Sequence, residues 1–186
     1  MNQKSPQKYF IATYGCQMNE YDSGLVAAAM EGRGCMATED PWEADFILVN
    51  TCSVRGKAEE NAYARISQFK PIKQANPQLR IAVLGCMAKN HGQKILDTLS
   101  NVDFVLGPDN YSEIPRLLFD TPLPSKPRKA DRPYRVITEF DSVENYLGQH
   151  AKQNNHASGF VTIQRGCNKH CSYCIVPYVR GPEKNR

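Results

Sequence analysis

Seven cysteines carry the chemistry that can be read from this chain: Cys16, Cys35, Cys52, Cys86, Cys167, Cys171 and Cys174. The last three form a CxxxCxxC run, Cys167-Asn168-Lys169-His170-Cys171-Ser172-Tyr173-Cys174. Three thiolates this close can wrap one metal centre from a single loop. On a four-iron cubane, three ligands leave one iron open to a substrate or cofactor. The competing reading is a structural zinc with His170 or His156 as fourth ligand, although His170 adjoins Cys171 and would strain a short loop to reach the same ion. Cys16, Cys52 and Cys86 share no local motif. Each instead follows a short apolar run, and two readings stand for them: a second metal site, or small buried hydrophobes near strand ends. Cys35 follows Gly34 in a turn region and reads as an ordinary thiol. With no apolar leader at the start, the thiols are expected to stay reduced, which disfavours a disulfide framework.

The elements that must position these thiols follow from hydrophobic patterning. Tyr9-Phe10-Ile11-Ala12 leads to Cys16, Phe46-Ile47-Leu48-Val49 to Cys52, and Ile81-Ala82-Val83-Leu84 to Cys86. Near-continuous apolar runs of this length predict strands buried on both faces, as in a parallel sheet. Helices are predicted between them over 19–31, over 57–69 (Ala58, Ala62, Ile66 and Phe69 at helical spacing) and over 92–99. A fourth strand, Phe104-Val105-Leu106, precedes a final helix over 111–119 that must contend with Pro115. Strands alternating with helices imply an α/β fold, an open Rossmann-like parallel sheet. In such sheets ligands collect at the carboxyl ends of the strands, where all three dispersed cysteines are placed.

Three regions are expected: a first domain over 1–120, a linker over 121–157, and the start of a second domain over 158–186. The linker holds Pro122, Pro124, Pro127 and Pro133 in a basic stretch. Residues 159–164 are predicted to be a fresh strand feeding the CxxxCxxC loop. The chain has 186 residues and a net charge of +4. Residues 1–120 hold 12 basic and 14 acidic side chains, whereas residues 121–186 hold 11 and 5. Lys126, Arg128, Lys129, Arg132 and Arg135 could touch nucleic-acid phosphates, and a solvated charged linker is the plainer reading. His91 and His150 are expected to be solvated. For Asn19 and Asn50 a helix cap and a turn weigh against hydrogen bonds to a metal-bound sulfur, which Arg55 could also supply. No apolar run approaches the roughly 18 residues of a membrane span. A cytoplasmic protein without membrane attachment is the expectation.

The motifs also carry a family resemblance. Thr13-Tyr14-Gly15-Cys16-Gln17-Met18-Asn19-Glu20-Tyr21-Asp22-Ser23, Asn50-Thr51-Cys52-Ser53-Val54-Arg55 and Leu84-Gly85-Cys86-Met87 resemble the three cysteine blocks of the radical-SAM methylthiotransferases. Arg165-Gly166-Cys167 through Cys174, with Pro177-Tyr178 and Arg180-Gly181, resembles that family's radical-SAM loop. Gln17-Met18-Asn19-Glu20 and Cys52-Ser53-Val54-Arg55 look most like the branch that modifies dimethylallyladenosine in tRNA, the MiaB type. The branches acting on threonylcarbamoyladenosine or on a ribosomal-protein aspartate are the alternatives. A non-catalytic zinc- or cluster-binding protein that holds RNA is an alternative of another class.

The resemblance implies two 4Fe-4S clusters. Cys167, Cys171 and Cys174 would hold the one whose open iron chelates S-adenosylmethionine, with Tyr173 near the adenine. Cys16, Cys52 and Cys86 would hold an auxiliary cluster carrying sulfur. It further implies a transferase that adds a methylthio group at adenine C2 beside the anticodon, with a tRNA anticodon stem-loop and an electron-donor protein as partners and a monomeric state. The region after Cys174 would be the truncated start of a radical-SAM α/β barrel, and a fragment of this extent is expected to be inactive alone. Asn185 stands where the family usually has Ser.

Overall fold

The computed structural model describes residues 5–53, 56–122, 135–140, 151 and 159–186. Six strands form one sheet: β1 (Lys8–Thr13), β2 (Met36–Ala37), β3 (Phe46–Thr51), β4 (Arg80–Gly85), β5 (Phe104–Leu106) and β6 (Val136–Ile137). Their order is β2-β1-β3-β4-β5-β6 and every pairing is parallel. The α/β open parallel sheet anticipated from patterning is therefore the fold. Two short strands escaped the patterning, β2 and β6, because two-residue elements have no measurable period. β6 lies inside the stretch read as linker, and it extends the sheet through Val105 N–H to Arg135 O (2.7 Å) and Gly107 N–H to Ile137 O (2.8 Å).

Alternate residues of each strand feed opposite layers, as the pleat requires. Phe46, Leu48, Ala82, Leu84, Phe104 and Leu106 pack with Leu25, Val26 and Met30 of α1 (Gln17–Gly32). Ile47, Val49, Ile81, Val83 and Val105 face the other way, against Ala62 and Ile66 of α2 (Gly56–Gln68), Ile72 of α3 (Lys70–Ala75), and Met87 and Ile95 of α4 (Cys86–Thr98). Each of the Val, Leu, Ile, Phe and Met side chains among these, fully removed from water, contributes on the order of 1.5–3 kcal/mol.

The winding reverses between β1 and β3: α1 covers one face, and the helices that follow β3 cover the other. A crevice at the carboxyl ends of the strands opens at such a reversal. α1 also changes character along its length. Its inward stripe begins with buried Asn19, Asp22 and Ser23 and ends with Val26 and Met30. The polar half lies at the strand ends and the apolar half against the core.

Three expected elements differ. Helix α4 begins at Cys86 and is broken at Gly92 (φ 32°, ψ −106°), so the run predicted over 92–99 is its second part. The helix predicted over 111–119 is instead a 3₁₀ turn (Tyr111–Glu113) and a π turn (Arg116–Asp120). Pro115 has no N–H to continue an α ladder, yet Ile114, Leu117 and Leu118 are buried as their spacing implied. The strand expected over 159–164 is reduced to β7 (Gln164–Arg165), paired antiparallel with β8 (Lys184–Asn185). Phe160, Val161 and Ile163 are exposed, and a run of strand-forming residues becomes a strand only where a neighbouring backbone takes up its polar groups. The start of a barrel is accordingly not visible. The described residues after 158 form this ribbon and one short helix, α5 (Val176–Arg180).

Asp103 ties the opposite, amino-terminal end of β4. Its Oδ2 accepts from the Ile81 N–H (2.8 Å) and from Lys73 Nζ (2.7 Å). Asp103→Ala is expected to cost about 1–3 kcal/mol, since it leaves a buried N–H unsatisfied. Urea unfolding reads this as a lowered midpoint, and an unchanged midpoint would show that the two donors find other acceptors.

Candidate metal centre at the carboxyl ends of the strands

Cys16, Cys52 and Cys86 leave three adjacent parallel strands at the same edge of the sheet. Cys16 is the N-cap of α1, Cys52 follows β3, and Cys86 opens α4. Two glycines allow the backbone to close around them. A Cβ at Gly15 would lie 2.8 Å from Cys52 Cβ, so β1 and β3 approach each other through bare backbone here. Gly85 adopts φ +90° and ψ −157°, a conformation essentially restricted to glycine, which turns β4 into α4 and delivers Cys86 to the edge. Cys52 and Cys86 are buried and Cys16 is exposed. Burial pushes the Cys86 thiol up, against the opposing pull of Arg180. A bound metal reverses this, because coordination deprotonates a thiol outright.

A buried amide pair fixes the rim. Asn19 Nδ2 donates to Asn50 Oδ1 (3.0 Å) and to Thr51 O (3.0 Å), while Asn50 Nδ2 donates to Asn19 O (2.9 Å) and Ser23 Oγ (3.0 Å). Asn19 Oδ1 in turn accepts from Cys16 Sγ at 3.4 Å. Neither residue is the cap or turn residue that local rules suggest. They cross-link α1 to β3, and their amide donors are committed to protein acceptors. Ser53, beside Cys52, donates to Glu59 Oε1 (2.5 Å), whose Oε2 lies 3.1 Å from His91 Nε2. His91 is thus held in a carboxylate contact rather than solvated.

The CxxxCxxC loop sits between β7 and α5. Its backbone is anchored by Cys167 N–H to Gly181 O (3.1 Å) and turned by Cys174 N–H to Cys171 O (3.0 Å). Cys171 is exposed, Cys167 and Cys174 are half-buried, and Tyr173 is 91% exposed. Among the described residues, no three His, Cys, Asp or Glu side chains are arranged to hold a single metal ion. A multi-iron cluster places a different demand on its ligands, because each thiolate takes its own iron and the sulfurs stand further apart.

Ion pairs that patterning missed bring the second cysteine set to the first. Arg180 Nη1 lies 2.9 Å from Asp22 Oδ2, with side-chain exposures of 7% and 0%, and Arg180 Nε donates to Cys86 Sγ at 3.2 Å. Tyr111 OH donates to the same Asp22 oxygen (3.4 Å), and burial followed by the Asp22 charge drives its phenol far above the usual range. Burial works against the Arg180 charge, but the Asp22 carboxylate together with Cys86 and Tyr111 more than offsets this and raises its pKa. Arg165 donates to Pro108 O (3.0 Å), and Lys184 lies 3.1 Å from Asp109 Oδ2. The available signal was a charge inside an otherwise apolar stretch: Asp22 amid the Ala-rich helix, and Arg180 closing Ile175-Val176-Pro177-Tyr178-Val179. Of the linker cations, Arg135 is spent on Val102 O and Asp103 O. Arg55, Lys126, Arg128, Lys129, Arg132, His150 and His156 lie outside the described residues. Cys35 is buried near Tyr9 and Met30, and desolvation raises its thiol, as suits an ordinary packed cysteine.

The profile of the uncharacterized protein family UPF0004 matches residues 8–107, which span the sheet from β1 through β5 and all three dispersed cysteines. The chain belongs to this family. Curated relatives extend the likeness beyond the UPF0004 region. A tRNA-2-methylthio-N(6)-dimethylallyladenosine synthase of Ruegeria pomeroyi is 42% identical over 181 residues, 97% of this chain and 40% of the relative. Proteins of the same name from Cereibacter sphaeroides and Paracoccus denitrificans are each 40% identical over 97% of this chain and over 40% and 38% of their own lengths. The chain therefore spans about two fifths of the length of these relatives. Among the described residues no helix is long and apolar enough to cross a membrane.

Proposed function

We propose that this chain forms the cysteine-bearing portion of a transferase that adds a methylthio group to C2 of dimethylallyladenosine beside the anticodon of tRNA. One observation carries the reading. Cys16, Cys52 and Cys86 end three neighbouring parallel strands at the winding reversal, and Arg180 from the segment of the second cysteine set touches Cys86. The relatives' printed names supply the reaction class.

In this reading Cys16, Cys52 and Cys86 would hold an auxiliary 4Fe-4S cluster, and Cys167, Cys171 and Cys174 a second one that binds S-adenosylmethionine. The donor set fits, since thiolates suit iron–sulfur clusters and three per cluster leave one iron free. The bound cofactors supply radical cleavage and the transferred sulfur. The protein's own contribution is placement. Asn19 and Asn50 hold the first turn of α1, which Cys16 caps, against the end of β3, and the buried Asp22–Arg180 pair sets one cysteine segment against the other. Tyr173, exposed beside Cys174, is free to cover an adenine ring. An electron-donor protein and the tRNA stem-loop complete the reaction, with the protein acting in the cytoplasm as a monomer.

Anaerobic iron and sulfide analysis with EPR tests this. Reconstituted protein should hold about eight irons per chain, falling to about four in a Cys16→Ala/Cys52→Ala/Cys86→Ala variant. Four irons unaffected by the triple substitution would remove the auxiliary site and the sulfur-transfer argument with it. Colourless protein holding zinc without iron would favour an RNA-binding zinc module instead.

A further inference from the structure

Arg180 does more in this structure than balance Asp22. A guanidinium is a planar fork whose Nε and one Nη nitrogen share an edge, while the other Nη lies at the end. Here Nη1 takes Asp22, and Nε donates to Cys86 Sγ at 3.2 Å. Nη1 and Nη2 are both buried without a hydrogen-bond partner among the described residues, Nη1 meeting Asp22 as an ion pair only, and Asp22 Oδ1 likewise accepts no hydrogen bond. A buried arginine donor without an acceptor costs on the order of 1–3 kcal/mol or more unless something fills the place. The Nε–Nη2 edge that carries the unused donor is the edge facing Cys86. An acceptor bound beside that sulfur, and carrying negative charge, would satisfy it.

We propose that Arg180 is a positioning residue for the sulfur-bearing group held by Cys16, Cys52 and Cys86. Nε holds the Cys86 thiolate, and Nη2 donates to a sulfur of the bound group. The inference rests on the reading above, in which those cysteines bind a cluster. Arg180 lies in the segment that carries Cys167, Cys171 and Cys174, so the same side chain makes docking of that segment a condition for a complete auxiliary site. A donor and a positive charge at a cluster sulfur favour the reduced, more negative state, and their removal moves the reduction potential downward.

The test uses the full chain carrying Cys167→Ala/Cys171→Ala/Cys174→Ala, reconstituted with iron and sulfide, so that the remaining signal belongs to the Cys16 set. Asp22→Asn/Arg180→Gln replaces the buried ion pair by two neutral amides, which removes the charge and the fork without stranding either partner. Arg180→Lys keeps a charge for Asp22 but not the two-donor edge. The expected result is about four irons in the parent, a more negative potential and altered EPR g-values in the double variant, and a smaller shift in the same direction for lysine. If the double variant does not fold, the lysine variant decides alone. Potentials and g-values identical to the parent's would overturn the role of Arg180 while leaving the cluster in place. A parent without iron would overturn the functional reading, and this inference with it.

Discussion

Gly85→Ala is expected to destabilise the protein by about 2–6 kcal/mol and to spoil the cysteine edge with it. Two separate costs arise. The backbone at residue 85 has φ +90°, and a non-glycine residue held in such a region costs on the order of 1–3 kcal/mol. An added Cβ would also fall 2.5 Å from Thr51 O and 2.5 Å from Asn50 Oδ1, which is closer than real contacts allow. Neither neighbour can yield cheaply. Thr51 is paired with Gly85 in the β3–β4 register, and Asn50 is tied to Asn19 and Ser23. Overpacking of this kind adds about 1–3 kcal/mol. Urea unfolding measures the sum, and a loss below about 1 kcal/mol would show that the ends of β3 and β4 move apart freely.

The second large effect belongs to Asp22. Asp22→Ala leaves Arg180 buried without a counter-charge, and breaking a buried pair from one side costs about 3–5 kcal/mol. Arg180 belongs to α5, which packs against α4, so the damage should concentrate in the docked segment. Native-state hydrogen exchange at the Val179 amide is expected to accelerate by about 10²–10³-fold, tenfold for each 1.4 kcal/mol. Exchange at Val49 and Val83 in the central strands should change much less. An unaltered rate at Val179 would mean that the Arg165, Lys184 and Asp109 contacts hold the segment without the ion pair. The Asp22→Asn/Arg180→Gln variant should recover much of the loss, because two neutral amides carry no stranded charge.

Several features of this protein follow from its sequence alone. Runs such as Phe46-Ile47-Leu48-Val49 have no polar face to offer water, so they must lie inside a sheet covered on both sides, and alternation with helix-length segments makes that sheet parallel. The cysteine spacings place three thiols just past strand ends and three in one loop, which are local facts of the chain. Glycine before Cys16 and Cys86 is local as well. Patterning had less purchase on short or interrupted elements. β2 and β6 are two residues long and exist only because β1 and β5 offer free edges, and of the run expected over 159–164 only Gln164 joins a strand, β7, with Ile163 O beside it accepting from the Arg186 N–H.

Only the tertiary structure decided how the cysteine sets relate. The strand order puts β1, β3 and β4 side by side, and that order comes from how crossovers pack rather than from any residue's own preference. It likewise turned Asn19 and Asn50 from cap and turn candidates into a reciprocal amide lock across 31 residues of sequence. Most of all, it joined Asp22 to Arg180 and Arg180 to Cys86, contacts spanning 94 residues in the last case. Pairing over such separations depends on which side chains share a dry space once the chain has folded. In that space an unpaired charge costs several kcal/mol, whereas on the exposed surface the same pair would contribute little.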